Sequence, residues 1–289
     1  MRGTVGRTVE RAAARSPQGQ EALSTQAYLR AIGVPDLPAR TSPFDPGYDP
    51  VTVEAHLDQS AHLIAILKVS MACWLVADEA ATRRKVGSAR RAGVPTVSGG
   101  GPFEIAQERG ALERYLDLCA DIGFHRIEAG EGFTTLRVSP EDVVRLAGQR
   151  GLDVQFEIGE KHAGSFDADT VEGLIDQGRR WLDAGAVQLV VEARESAQGV
   201  GLFDDTGRLD ENLADRLAEA FGFERLVYEA PNKPSQFALL DHFGPEVELC
   251  NVRLEELLRV EIYRRGLHSD AYGKPNLRPA DPRRANAVR

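Results

Sequence analysis

The sequence predicts an α/β protein of the (β/α)8 barrel class, on three observations. Between residues 41 and 269, short apolar runs and amphipathic stretches alternate, giving eight strand candidates and eight helix candidates. Four apolar runs end on the same kind of phrase: Ile127-Glu128-Ala129, Phe156-Glu157-Ile158, Val191-Glu192-Ala193 and Tyr228-Glu229-Ala230. Each is followed by small or basic residues, as a βα loop at a barrel mouth would be. An open doubly wound sheet is the competing arrangement, but no G-x-G-x-x-G follows the first strand.

The elements follow in order. Residues 1–40 are polar, rich in Ala and Arg, and broken by Pro17, Pro35 and Pro38. They read as an appended N-terminal arm, with a helix over Gln20–Ala31 and a role in an oligomer contact. Thr41–Asp45 is a short strand, and Pro50 opens a helix running to His62. Leu63–Val69 is a strand; Glu79–Ala92 is a helix stopped by Gly93. Val94–Ser98 is a strand, then Gly99-Gly100-Gly101-Pro102 leads into one helix over Phe103–Ile122, with apolar residues three and four apart. Phe124–Glu128 is a strand, and Ser139-Pro140-Glu141-Asp142 is a strong helix start. Asp153–Ile158, Ala186–Ala193, Arg225–Ala230 and Glu246–Asn251 complete the strands. The helices between and after them are Asp167–Ala184, Glu211–Phe221, Lys233–Phe243 and Leu254–Arg265. Residues 270–289 form an irregular C-terminal tail. Eight such units fit the TIM-barrel architecture over residues 41–269.

Composition narrows the classes. The 289 residues carry 35 Lys plus Arg against 44 Asp plus Glu, a net charge of −9, which argues against a nucleic-acid partner. Three cysteines without paired spacing suit a reducing compartment, and no Cys/His cluster has zinc spacing. The N-terminus lacks an apolar signal core, and the run from Leu63 to Ala77 is too short for a membrane span. The expectation is a cytoplasmic protein with no membrane partner, acting as a homo-oligomer.

Strand ends are where a barrel keeps its chemistry. Asp45, Lys68, Glu128, Glu157, Glu192, Arg194, Glu195, Glu229 and Asn251 fall at or just beyond them, with Lys161 and Lys233 slightly further into the loops. Any one of these could be a salt-bridge partner at the rim. Several carboxylates buried together need a cation, and hard oxygen ligands suit Mg2+ better than zinc. Glu128, Glu157, Glu192 and Glu229 are therefore the candidate metal ligands. A lysine nearby, its pKa lowered by burial, could exchange a proton with carbon. Gly99 and Gly100 offer backbone N–H groups to an anion, and Lys233 and Arg253 lie where barrels often hold phosphate. The partner is then a small anionic, phosphorylated substrate.

The phrases also carry a resemblance. Leu67-Lys68, Gly99–Glu104 (GG-x-x-FE), Gly123–Glu128 (GF-x-x-IE), Glu157–Lys161 (E-x-G-x-K), Glu192–Ser196 (EARES), Glu229–Lys233 (EAP-x-K) and the RRGL at Arg264–Leu267 resemble the phosphosulfolactate synthase family over residues 38–270. The resemblance implies a (β/α)8 fold and Mg2+-dependent addition of sulfite to phosphoenolpyruvate, on the route to coenzyme M. It implies Lys161 as proton donor, with Lys68, Arg194 and Glu195 as further catalytic groups and Asn251 as a substrate contact. Three places depart from the family pattern. Asp45-Pro46-Gly47 stands for D-K-G, Ser70-Met71-Ala72-Cys73 for a G-W-G-T-like stretch, and Gly101 for a threonine. The enolate-handling set is kept while the nucleophile or phosphate pocket is altered. The other reading is a barrel of this family without catalysis, serving as a binding or stress-protective protein.

Overall fold

The computed structural model describes residues 24–279. The chain divides into two units, one ending at Asp36 and the other beginning at Leu37. In the first, α1 (Thr25–Ala31) starts where the Ser24 side chain accepts the Ala27 amide N–H. The earlier part of the expected Gln20–Ala31 helix lies outside the described residues, as do residues 280–289 of the tail.

The second unit is the expected barrel. Strands β1 (Thr41–Asp45), β2 (Leu67–Val69), β3 (Thr96–Ser98), β4 (Arg126–Gly130), β5 (Asp153–Ile158), β6 (Gln188–Val191), β7 (Leu226–Glu229) and β8 (Glu248–Arg253) pair in chain order and close. Every pairing is parallel, including β8 with β1. The connecting helices are α2 (Pro50–Ser60), a short α3 (Cys73–Val76), α4 (Glu79–Arg91), α5 (Gly100–Glu108), α6 (Leu112–Ile122), α7 (Pro140–Gly148), α8 (Ala168–Ala184), α9 (Glu211–Phe221), α10 (Lys233–Phe243) and α11 (Leu257–Arg264). Side-chain caps at Asp49, Asp78, Ser139, Asp167, Asp210 and Asn232 satisfy first-turn N–H groups and fix where six of these begin.

Three elements differ from the sequence reading, α3 being a short helix that the sequence reading lacks. The expected helix Phe103–Ile122 is two helices, α5 and α6, because Gly110 takes a φ of 66° and the chain turns there. The apolar spacing runs through the break unaltered, so periodicity alone misses it. The expected strand Leu63–Val69 pairs as a ladder only from Leu67; Ala61–Leu63 is a 3-10 turn and Ile64 makes a single bridge to Thr41.

Alternation along the strands sorts the residues into two shells. On β5, Phe156 faces out and stacks on Trp181 of α8 with ring centroids 4.2 Å apart. Its neighbours Gln155 and Glu157 face the barrel axis. At the N-terminal end the axis is plugged. Arg126 donates to Gln155 Oε1 (3.2 Å) and Gln188 Oε1 (2.8 Å), and Gln188 donates to Glu248 Oε2 (2.6 Å). These come mostly from even-numbered strands, as layers in such barrels do. Arg264 of α11 closes the seam beside β1. Its guanidinium donates to the carbonyls of Pro245 (2.6 Å), Val247 (2.7 Å) and Arg40 (3.3 Å), to Thr41 Oγ1 (3.0 Å) and to Glu261 Oε1 (3.1 Å).

Candidate functional site at the barrel mouth

The four strand-end glutamates do gather at the C-terminal mouth. The register explains how: Gln155 lies opposite Glu128, and Glu157 opposite Gly130, two positions further on. A staggered barrel needs such steps to keep residues of successive strands at one height. All four side chains are enclosed, at 1% (Glu128), 4% (Glu157), 2% (Glu192) and 2% (Glu229) exposure.

Two lysines lie between them. Lys68 Nζ is 2.7 Å from Glu128 Oε1 and 3.9 Å from Glu229 Oε1, and it donates to Asn251 Oδ1 at 3.1 Å. Lys161 Nζ donates to Glu157 Oε1 and, at 2.8 Å, to Glu192 Oε2. Gly159 makes the second arrangement possible. Its φ is 112°, and a Cβ there would come within 2.8 Å of Phe166 and 3.0 Å of Glu192, so only glycine turns the chain back over the mouth. The Lys161 amide then pins the loop by donating to the Gly132 carbonyl at 3.0 Å.

Backbone and amide groups complete the set. Glu229 Oε2 accepts the N–H of Ala193 (2.9 Å) and Arg194 (3.0 Å), and Glu192 Oε1 accepts Arg194 N–H at 2.5 Å. Arg194 holds a left-handed φ of 56° to do this, a strain of about 1–2 kcal/mol offset by hydrogen bonds to charged oxygens. Asn251, also left-handed at 52°, donates to Glu229 Oε1. Gln155 donates to Glu128 Oε2 at 2.8 Å.

Titration follows from the crowding. Burial lowers the Lys161 pKa, but Glu157 and Glu192 outweigh it and the net shift is upward. Lys68 behaves alike, burial being outweighed by Glu128, Glu229 and Glu157. This corrects the expectation of a lysine with a lowered pKa: the opposing carboxylates keep both ammonium groups charged. One lysine between two carboxylates leaves only one of them fully compensated. Burial and the nearby Glu192 push Glu157 up to about 8. Glu192 is lowered overall, Lys161 overcoming the cost of its burial. Glu229 is pushed up by burial, with Glu192 and Glu157 adding to it.

Other sequence-predicted residues are engaged differently. Gly99 and Gly100 were expected to offer free N–H groups, but Gly99 N donates to Val69 O (3.1 Å) and Gly100 N to Glu128 Oε1 (3.0 Å). The anion at this helix start is the protein's own glutamate. Gly99 is needed for another reason, since a Cβ there would come within 2.6 Å of the Met71 amide nitrogen. Lys233 is paired with Asp270 at 3.1 Å, and Arg253 with Glu255 at 2.8 Å. Neither is among the partners of the glutamate ring. Arg194 and Glu195 are exposed in the loop after β6, the former donating to the Lys161 carbonyl at 3.1 Å. In the departing first loop, Asp45 accepts the N–H of Gly47 (2.8 Å) and Tyr48 (2.6 Å) and pairs with buried Lys85 at 2.5 Å.

Sequence reasoning did not single out two members of the site. Gln155, two residues before Glu157, is readable as inward-facing from strand alternation. Glu104, on α5, is fully buried at 0% exposure. Its Oε2 accepts the N–H of Phe133 (2.9 Å) and Thr134 (3.0 Å) and the Thr134 hydroxyl (3.1 Å), while its Oε1 is enclosed without a partner. Only its place in the GG-x-x-FE phrase marked it.

Lysines and amides occupy the spaces between the four glutamates expected as metal ligands. Among the described residues, no three His, Cys, Asp or Glu side chains converge to hold an ion by themselves. Mg2+ asks for less, since it keeps several waters and is held by one or two carboxylates together with substrate oxygens. Five enclosed carboxylates (Glu104, Glu128, Glu157, Glu192, Glu229) against two lysines, one carboxylate oxygen being orphaned, fit such a cation.

Fold and mouth together define a parallel (β/α)8 barrel carrying its charged groups at the strand ends and on the βα loops. Among solved structures, it is similar to the deoxyribose phosphate aldolase from Aeropyrum pernix, at TM-score 0.51 and 18% identity, over 83% of this chain and 96% of that one. The YdjI aldolase from Escherichia coli K12 is similar at TM-score 0.50 and 13% identity, over 81% of this chain and 94% of that one. At these identities the likeness concerns the fold alone. Sequence goes further: residues 38–270 match the family described as ComA, (2R)-phospho-3-sulfolactate synthase, and the chain belongs to that family. The phosphosulfolactate synthase of Methanocaldococcus jannaschii is 31% identical over 231 residues, 80% of this chain and 92% of the relative. That of Methanothermobacter thermautotrophicus is 30% identical over 240 residues, 82% and 92% of the two chains. No helix among the described residues is long and apolar enough to cross a membrane.

Proposed function

We propose that the protein adds sulfite, or a related nucleophile, to phosphoenolpyruvate or a close analogue, as a ComA-like lyase with Mg2+ as cofactor. The sulfur lone pair forms a bond to the methylene carbon. The π electrons of the C=C bond move towards the carboxylate, and a proton is then delivered to the carbon that bears the phosphate. One C–S bond and one C–H bond form, and solvent replaces the proton.

The observation that carries the reading is Lys161, a charged ammonium held between Glu157 and Glu192 in the loop over the mouth. Its raised pKa makes it a proton reservoir rather than a base at neutral pH. Glu192, lowered and ionised, orients it. The exposed Arg194 guanidinium, tied to the Lys161 carbonyl, is suited to meet a substrate anion from the solvent side. Glu157 is the carboxylate that would hold Mg2+, which when bound would stabilise charge building on the substrate carboxylate. Lys68, more enclosed, holds Glu128, Glu229 and Asn251 in place beneath it.

The test is to incubate the full chain with Mg2+, phosphoenolpyruvate and sulfite and to look for a phosphorylated sulfonate by mass spectrometry. Product that disappears on omission of any one component supports the reading. No product, together with no cation binding, favours the non-catalytic barrel.

A further inference from the structure

Glu104 carries a debt that the reading above leaves unsettled. It sits at 0% exposure, outside the ring of strand-end glutamates. Three donors, from Phe133 and Thr134, fix its Oε2. The carboxylate therefore cannot turn, and Oε1 is left without a donor. A buried oxygen in that state is costly, more so when charged.

What Oε1 faces is set by Gly130, the last residue of β4. A Cβ built on Gly130 would lie 3.6 Å from Glu104 Oε1 and 3.7 Å from Glu157 Oε1. Two carboxylate oxygens from different elements thus border one small slot, the space that a methyl on residue 130 would fill. On the adjacent turn, Lys161 Nζ packs 3.1 Å from the corresponding position of Gly132 while donating to Glu157 Oε1.

We propose that Glu104 and Glu157 hold a divalent, oxygen-seeking cation in this slot beside Gly130, waters and substrate oxygens completing its shell. The inference rests on the proposed Mg2+ dependence and moves the site away from Glu128, Glu192 and Glu229. Two carboxylates with retained waters are what Mg2+ commonly takes from a protein. They also agree with the absence of any three-carboxylate cluster among the described residues. Glu128 is less suited, since Lys68, Gly100 N–H and Gln155 occupy both of its oxygens, whereas Glu157 accepts from Lys161 at Oε1 alone. Because the same Glu104 anchors Phe133 and Thr134, a cation here also braces the loop after β4.

Mn2+ is the probe, its binding to the full chain followed by electron paramagnetic resonance and by the metal-dependent rise in thermal midpoint. Glu104→Gln and Gly130→Ala are each expected to weaken Mn2+ binding at least about tenfold and to abolish most of that rise. In Gly130→Ala the new methyl meets its neighbours at 3.6 and 3.7 Å, ordinary contact, so the fold should persist while the slot is filled. Glu131→Gln, whose carboxylate accepts from Leu136 and Gln177 instead, should bind like the parent. A parent that binds Mn2+ and folded variants that bind it equally well would overturn this site and leave the Mg2+ reading standing. A parent that binds no Mn2+ at millimolar concentration would overturn both.

Discussion

Lys68 Nζ, from β2, and Glu128 Oε1, from β4, meet 2.7 Å apart inside the barrel, their side chains 8% and 1% exposed. A pair so enclosed is not valued by its contact alone. Removing one partner strands the other's charge, which typically costs about 3–5 kcal/mol, whereas an exposed pair is worth about 1 kcal/mol or less. Lys68→Met should therefore lower the urea unfolding free energy by about 3–5 kcal/mol at pH 7. A loss below about 1 kcal/mol would mean that Glu128 and Glu229 relax by taking up protons instead.

Lys161 makes a different prediction, because its side chain is 25% exposed and, on the proposed chemistry, it delivers the proton. Lys161→Ala should fold, keep its far-ultraviolet spectrum, and lose at least about a hundredfold in kcat, with a smaller change in KM. Turnover within a few-fold of the parent would take the proton-donor role from Lys161 and pass it to Lys68.

Stability should depend on pH in a direction fixed by Glu157. Its ordinary pKa is 4.5, and in the folded protein burial and Glu192 raise it to about 8. A carboxyl raised on folding prefers its protonated form there, so its contribution is fully present below pH 4.5 and is lost as pH rises to 8. Glu229, raised for similar reasons, adds to the trend. Without added metal, the urea midpoint should fall between pH 6 and pH 8, by an energy on the order of a few kcal/mol. In Glu157→Gln the fall should be clearly smaller. Equal slopes in parent and variant would show that another group sets the dependence.

Arg264 lies in the RRGL phrase, yet its contacts lie at the seam beside β1, away from the mouth glutamates. Its side chain is 0% exposed and donates to three carbonyls, Thr41 and Glu261. Arg264→Lys cannot reproduce that fork and should destabilise by roughly 3 kcal/mol or more. In the folded fraction, Mn2+ affinity should stay within about twofold of the parent. A metal-binding defect without a stability defect would place Arg264 in the functional site after all.

The barrel was readable because its signals are local: glycines or caps at helix ends, and apolar runs that stop on glutamate. Which residues share the rim followed from strand ends for Glu128, Glu157, Glu192 and Glu229. What those glutamates touch did not follow. Lys68 meets Asn251 across 183 residues of chain, a contact that exists only once β8 has closed on β1. The same holds for Gly100, whose N–H seemed open to a ligand until β4 brought Glu128 to it at 3.0 Å. Glu104 was obscured by its helix, where a buried carboxylate cannot be told from a solvated one without knowing what packs on it. Lys233 and Arg253 had suitable positions in the chain, but Asp270 and Glu255, nearby acids, take up their charge.

The plug formed by Arg126, Gln155, Gln188 and Glu248 gives the barrel a closed floor. A vessel open at one end imposes an order of events on whatever happens inside it. Solvent, substrate and departing product must all use the same doorway. On the proposed chemistry, Lys161 is therefore loaded with its proton before the substrate covers it and reloaded only after product has left. Traffic through the mouth, rather than any relay through the base of the protein, would then set the rhythm of turnover.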